Sequence, residues 1–251
     1  MTVAGRATTR DNEPVTNTES WDRVAAQRTG TPPSEVVQYG PDGPGEDELR
    51  LIGDVSGKRV LDLGCGDGQA AVTFARKGAT TIAVDASVRM LDRARTIAEQ
   101  AAVRVEWHQG DVADLAFLRA ESIDMVFSAY SLGEVDDLHR VFRQVHRVLK
   151  NRGAFVFSYE HPIGLCVGRE PPETPSTPIS RVVRMSYFTE DPVTVDRDGQ
   201  PIRVHVRTVG EVFHALSRGG FRVEVLAEPR PSGADALVPR TIIWRGRKEG
   251  L

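Results

Sequence analysis

Cysteine is scarce in this 251-residue sequence, which holds only Cys65 and Cys166. Two thiols make no disulfide framework, and Cys65 sits inside a glycine-rich stretch. Both read as reduced, and the chain as cytoplasmic. Long apolar runs are absent as well. No segment approaches bilayer-spanning length, and the polar N-terminus lacks a signal peptide's apolar core, so no membrane partner is expected. Charge of one sign is missing too: 32 Lys plus Arg face 35 Asp plus Glu, for a net charge of −3. A phosphate backbone asks for a basic face, so nucleic acid is excluded as the expected partner. The short basic cluster Arg245, Arg247 and Lys248 reads as a solvated tail. No internal repeat is visible.

What is present is a core-forming composition, 40% hydrophobic, enough for one large α/β domain or two small ones. Residues 60–68, VLDLGCGDG, organise the rest. The apolar run Val60, Leu61 and Leu63 breaks into Gly64, Gly66 and Gly68, as a buried strand does when its backbone must bend tightly or touch a ligand. A helix pattern follows, with Ala71, Val72, Phe74 and Ala75, closed at Lys77-Gly78. Strand, glycine loop and helix form the nucleotide-holding unit of doubly wound α/β folds, whose ligands bind at the strands' carboxyl ends.

Residues 1–19 are polar and are expected to be a disordered tail, leaving 20–251 as a single domain. A short helix fits 21–30, and prolines and glycines make 30–45 a loop. Tyr39 in that loop is either ordinary packing or a lid over a ligand mouth. A helix at 46–52 leads into the first strand. Further strands fit 80–85, 103–107, 123–127 and 154–159, with a helix between each pair where the pattern allows. Ser87 caps one of these, and Leu138, Val141, Phe142, Val145, Val148 and Leu149 mark the clearest. Such alternation implies a parallel sheet with right-handed crossovers. The pattern breaks at 162–180, where Pro162, Pro171, Pro172, Pro175 and Pro178 exclude strand and helix. Residues 182–188 and 202–206 look like a loose antiparallel pair around Asp198-Gly199. A helix bearing Val209, Val212, Phe213 and Leu216, then strands at 221–227 and 241–244, finish the sheet.

The glycine spacing separates two nucleotide classes. A dinucleotide fingerprint, G-x-G-x-x-G, would need its third glycine at Gln69. D-L-G-C-G-D-G resembles instead motif I of the class I S-adenosylmethionine (SAM) methyltransferases. That resemblance covers about 46–160 in order. It implies a Rossmann-like, seven-stranded, doubly wound sheet, mostly parallel with an antiparallel last strand, plus a small cap insertion at 162–207 over the acceptor. It implies SAM as cofactor and S-adenosylhomocysteine as product. In that frame Gly64, Cys65 and Gly66 approach the methionine half, and Asp62 helps hold its ammonium. Asp85 accepts from the ribose hydroxyls, Asp111 faces the adenine amino group, and Val112 packs on the ring. Ala86 or Met90 covers the opposite face, and Ser128 meets the methionine part. Tyr39 remains a candidate at the mouth.

The resemblance also bears on the acceptor. Ser128-Ala129-Tyr130-Ser131 is not the D/N-P-P-Y/F tetrad of amino-methyltransferases, and neither cysteine follows a proline as cytosine-5 chemistry requires. Ser158-Tyr159-Glu160-His161-Pro162 is similar to the S-x-E-H-P of bacterial small-molecule methyltransferases. Those also carry an N-terminal tryptophan helix like the one at Trp21 and a segment loosely matched by His205-Val206-Arg207-Thr208. The expectation is methyl transfer to a small molecule, most simply at oxygen, with nitrogen or carbon as alternatives. His161 would be the general base, supported by Glu160 or Tyr159, or else a structural strand end. Arg181, Arg184, Arg203 and Arg207 could recognise an acidic acceptor or merely be solvated. No metal site is expected. The protein is a monomer or homodimer, and a SAM-binding module without activity or an NAD-dependent oxidoreductase are the competing readings.

Overall fold

In the computed structural model, residues 15–41, 43–170, 180–231 and 237–250 are described. Helix α1 (Asn17–Gln27) opens the chain and begins inside the stretch expected to be tail. Thr16 and Glu19 form a reciprocal capping box there, which satisfies two N-terminal donors and starts the helix early. The expected disorder of residues 1–14 lies outside the described residues.

After α1 come α2 (Glu46–Leu49), β1 (Arg59–Leu63), α3 (Gln69–Arg76), β2 (Thr80–Asp85), α4 (Val88–Gln100) and β3 (Val105–Gln109). Strand β4 (Ile123–Ala129), a 3-10 turn at Leu132–Glu134, α5 (Leu138–Val148) and β5 (Leu149–Glu160) follow. The remaining elements are α6 (Pro162–Cys166), β6 (Val167–Glu170), β7 (Ser180–Val183), β8 (Val193–Arg197), β9 (Gln200–Val204), α7 (Val209–Arg218), β10 (Phe221–Ala227) and β11 (Thr241–Lys248). Seven strands make one sheet in the order β10-β11-β5-β4-β1-β2-β3. Only β11 runs antiparallel to its neighbours. The order reverses direction beside β1, so a crevice opens at the carboxyl ends there.

Alternate strand residues feed two cores. Leu61, Leu63, Phe155, Phe157 and Trp244 pack under α5 and α7, where Val141, Phe142, Val145, Val212 and Leu216 are buried. Val60, Phe127, Val156 and Ile243 point the other way, against Phe74, Val37, Tyr39 and Ile52. Period-two alternation thus buries both faces of the sheet. Each large apolar side chain removed from water contributes roughly 1.5–3 kcal/mol, so these two layers outweigh any single polar contact.

Several expected boundaries move, each for a local reason. The third strand starts at Val105, because Ala102 turns left-handed (φ 53°) and the Val103 amide closes α4 onto Ala98. Helix α2 stops at Leu49, since Arg50 is left-handed and the buried Glu46 carboxylate accepts the amides of Leu51, Ile52 and Gly53. Residues 162–170 are ordered as helix and strand, with Pro162 at the first helical turn, where its missing N–H costs nothing. The other four prolines of that stretch lie outside the described residues. Strand β9 pairs with β8 and not with 182–188, because Asp198 (φ 50°) and Gly199 (φ 75°) form a two-residue hairpin turn. The supposed basic tail is the edge of the sheet. Arg245 and Arg247 both bind Glu224 of β10, and Lys248 is buried with its ammonium on the Leu149 carbonyl.

Candidate active site

The carboxyl ends of β1 to β4 open into one cleft with two lobes. Gly64 makes the first bend in left-handed backbone (φ 66°); a Cβ there would lie 1.9 Å from the Ser131 hydroxyl. Gly68 is similarly constrained (φ 79°): a Cβ there would lie 2.7 Å from Ala94 and from the Trp107 ring. These close approaches, and not turn geometry alone, explain why side chains are missing from the loop. The loop is tied to β2, with the Gly64 and Cys65 amides donating to the Val84 carbonyl and the Gly66 amide to Asp85 Oδ2 at 2.7 Å.

One lobe, of about 730 Å³, is lined by Gly64, Cys65, Gly66, Asp85, Ala86, Met90, Asp111 and Val112. The structure thus brings these sequence candidates together. Asp85 stands between the loop and α4, and its second oxygen accepts the Ser87 amide at 2.9 Å. Desolvation raises its pKa, against the pull of those backbone donors. Asp111 orders its own turn by accepting the Ala113 amide. Buried Met90 packs with Val24, Ala25 and Trp21 of α1, so the N-terminal helix forms part of this wall.

The other lobe, about 520 Å³, is lined by Asp62, Phe127, Ala129, Tyr130, Gly40, Pro41 and Arg197. Trp21, Arg28, Gly64, Cys65, Asp67, Ala129 and Tyr130 line both lobes and make them continuous. Asp62 is 2% exposed and its Oδ2 has no hydrogen-bond partner. Burial first, and the Asp85 charge second, push its pKa up to about 7. An orphaned carboxylate facing a cavity fits an incoming cation. Desolvation and the same two acids hold the Cys65 thiol well above its ordinary range, so it is no nucleophile.

Five sequence candidates fall elsewhere. His161 is buried and lines neither lobe. Its Nδ1 accepts the Ile163 amide, so the ring proton sits on Nε2, 2.6 Å from Glu228 Oε1. Nδ1 is spent capping α6 and Nε2 on Glu228, so neither is left to take an acceptor's proton. This corrects the general-base expectation in favour of the structural alternative. Tyr159 is 4% exposed and stacks with Phe157 within the α5-side core. Ser128 is fully buried, donating to the Leu63 carbonyl, and Ala129 takes the cleft position. Tyr39 is 1% exposed, packs against Phe127 and donates its hydroxyl to Glu46, so it is core and not a lid. Glu160 lines neither lobe but binds Arg197, which does.

The structure adds further groups to the cleft. Glu134 lines the first lobe and accepts from Trp21 Nε1 (2.9 Å) and Asn17 Nδ2 (3.1 Å). Burial pushes its pKa up to about 7 despite those two donors. Arg28 lies 2.8 Å from Asp198 and 3.8 Å from Asp67, linking α1, the β8–β9 turn and the glycine loop. The T-x-x-E of Thr16 to Glu19 was the available signal for α1. For Arg197, remote in sequence, none existed. Among the described residues, no three His, Cys, Asp or Glu side chains cluster as metal ligands would, and no helix is long and apolar enough to cross a membrane.

Residues 61–157 match the family model of a methyltransferase domain. A protein of Haemophilus influenzae without an assigned role is 27% identical over 72% of this chain and 74% of its own length. A ubiquinone biosynthesis O-methyltransferase of Pseudomonas syringae is 35% identical over 42% of this chain. The match spans 45% of that relative. The crystal structure of a SAM-dependent methyltransferase from Mesorhizobium loti superposes with a TM-score of 0.68 at 29% identity, covering 79% of this chain and 94% of that one. The sheet order, the glycine cradle, the acids at the ends of β1 and β2, and these likenesses converge. Residues 61–157 form a methyltransferase domain, and the chain is similar in sequence and fold to SAM-dependent methyltransferases, with S-adenosylmethionine as cofactor and S-adenosylhomocysteine as product.

Proposed function

We propose that this protein transfers the methyl group of SAM to a small-molecule acceptor, at oxygen. The observation that carries the reading is the second lobe. It is continuous with the glycine cradle, walled by Phe127, Ala129, Tyr130 and Pro41, and of a size suited to one small ligand. The relative that methylates oxygen in ubiquinone biosynthesis supports the choice of atom. In this reading Asp62 holds the cofactor's ammonium, and Gly64, Cys65 and Gly66 admit its methionine half. Asp85 binds the ribose, and Asp111, Val112, Ala86 and Met90 enclose the adenine. The segment 162–207 is the cap, within one domain that includes α1. Its two free thiols, Cys65 and Cys166, favour the cytoplasm.

When bound, SAM supplies an electrophilic methyl on a sulfonium. The chain has to position the acceptor and remove its proton. With His161 committed to a cap, Glu134 takes the base role. It lines the cleft, its ionised form is held by Trp21 and Asn17, and its affinity for protons is matched to neutral pH. Burial beneath α1 keeps water from competing for it.

The deciding experiment incubates the purified protein and methyl-labelled SAM with a cell extract resolved into small-molecule, protein and nucleic-acid fractions. Label in the small-molecule fraction, lost in Glu134→Gln, is the expected result. Label confined to macromolecules would sink the acceptor class. Binding of SAM with label nowhere would leave a binding module.

A further inference from the structure

We propose that Arg197 anchors a carboxylate on the acceptor, so that the substrates are small carboxylic acids; this rests on the small-molecule reading above. The cap's arginines divide sharply by what they already hold. Arg207 is spent on the carbonyls of Leu132, Val135 and Asp136, fixing the 3-10 turn that carries Glu134. Arg203 meets α1 through its backbone alone, exchanging hydrogen bonds with the Asn17 amide. Arg28, the other guanidinium of the second lobe, is paired with Asp198.

Arg197 differs in position and in spare capacity. It ends β8 at the hairpin turn, lines the second lobe, and sets its guanidinium carbon 5.8 Å from the Tyr130 ring centre. Glu160, outside the lobe, takes only Nη2. Among the described residues nothing accepts from Nε or Nη1. The platform beneath it is rigid. Tyr130 is held in left-handed backbone (φ 55°), with its amide on the Ser158 carbonyl and its hydroxyl on Thr241. A pre-oriented guanidinium over an aromatic ring, with Nε and Nη1 free to donate, is suited to a planar carboxylate. Strain at Tyr130 is of the kind that the surrounding fold maintains for a ligand. The charge balance selects a monoanion, because Asp62 and Asp67 share the lobe and would repel the second charge of a phosphate.

The test uses the full chain, methyl-labelled SAM and a small-molecule extract split on an anion exchanger before the reaction. Label is expected only with the retained fraction. Capping carboxyl groups in that fraction with a carbodiimide and an amine should abolish it, and phosphatase treatment should not. Arg197→Gln should lose about 10–100-fold in kcat/KM, mainly through KM, as loss of a charge-assisted pair does, and Arg197→Lys should recover part of it. Calorimetric affinity for S-adenosylhomocysteine should stay within about twofold in both variants, since the anchor serves the acceptor. Label with the unretained fraction, label that survives carboxyl capping, or an Arg197→Gln enzyme of wild-type efficiency would overturn the proposal. A tenfold loss of product affinity in Arg197→Gln would overturn it too, by assigning the guanidinium to the cofactor. Label with neither fraction, while S-adenosylhomocysteine still binds, refutes methyl transfer to small molecules itself.

Discussion

The two lobes of the cleft are built in different ways. The first is centred on the ends of neighbouring strands, and two of its acids sit beside the turns that present them: Asp85 before Ser87, Asp111 before Ala113. The second is gathered from α1, the loop around Gly40, the end of β4 and the β8–β9 hairpin, pieces up to about 180 residues apart. Local construction makes a site that short motifs can report. A site made of distant pieces depends on the register of everything between them. The comparison predicts that damage to the glycine cradle and the acids beside it acts on cofactor affinity, and damage to the pieces brought in from afar, Glu134 and Arg197, on turnover of the acceptor.

The largest effect should come from Gly64→Ala. The new Cβ would overlap the Ser131 side chain and sit in left-handed backbone, which alone costs about 1–2 kcal/mol. S-adenosylhomocysteine affinity should fall by roughly a hundredfold or more by calorimetry, at about 1.4 kcal/mol per tenfold. A variant that binds normally would show that the cradle is not where the cofactor lies.

Next is Glu134→Gln, for which kcat should drop by about 10²-fold with product affinity nearly unchanged, the scale of general-base catalysis. The wild-type rate should climb through about pH 7 as Glu134 ionises, and the variant should lack that limb. Burial raises this group above its ordinary 4.5, so its contribution to folding is full below that value and is lost as pH rises through about 7. Chemical denaturation across pH 4 to 8 reads this slope, which Glu134→Gln should flatten.

A smaller signal concerns Asp62. Its pKa near 7 in the ligand-free protein means that an arriving ammonium should expel a proton. Binding of S-adenosylhomocysteine at pH 6 should release between about half a proton and one, measured from calorimetry in buffers of different ionisation enthalpy. Asp62→Asn should release none. The smallest effect on chemistry is expected of His161→Ala. Loss of the α6 cap costs about 0.5–2 kcal/mol of stability, while turnover stays near wild type. A collapse of kcat without loss of stability would restore His161 as the base.

The sequence alone determined the sheet and the glycine-lined lobe at its carboxyl ends. Residues 138–148 announce their helix because period 3.6 and burial select the same side chains. Gly64, Gly66 and Gly68 announce the cradle because their backbone is left-handed, and at Gly64 and Gly68 the side chains of Ser131, Ala94 and Trp107 leave no room for a Cβ. Even the misplaced start of α1 was present as a capping box. The tertiary structure alone decided what lines the second lobe. His161 and Arg197 are both polar residues at strand ends, and nothing local says which is spent. His161 is consumed because its own chain turns back under it to be capped, and Arg197 is left open because Glu160, 37 residues away, holds one nitrogen and no more. A hydrogen-bond partner is a matter of three-dimensional proximity, and that is fixed only when the two cores close.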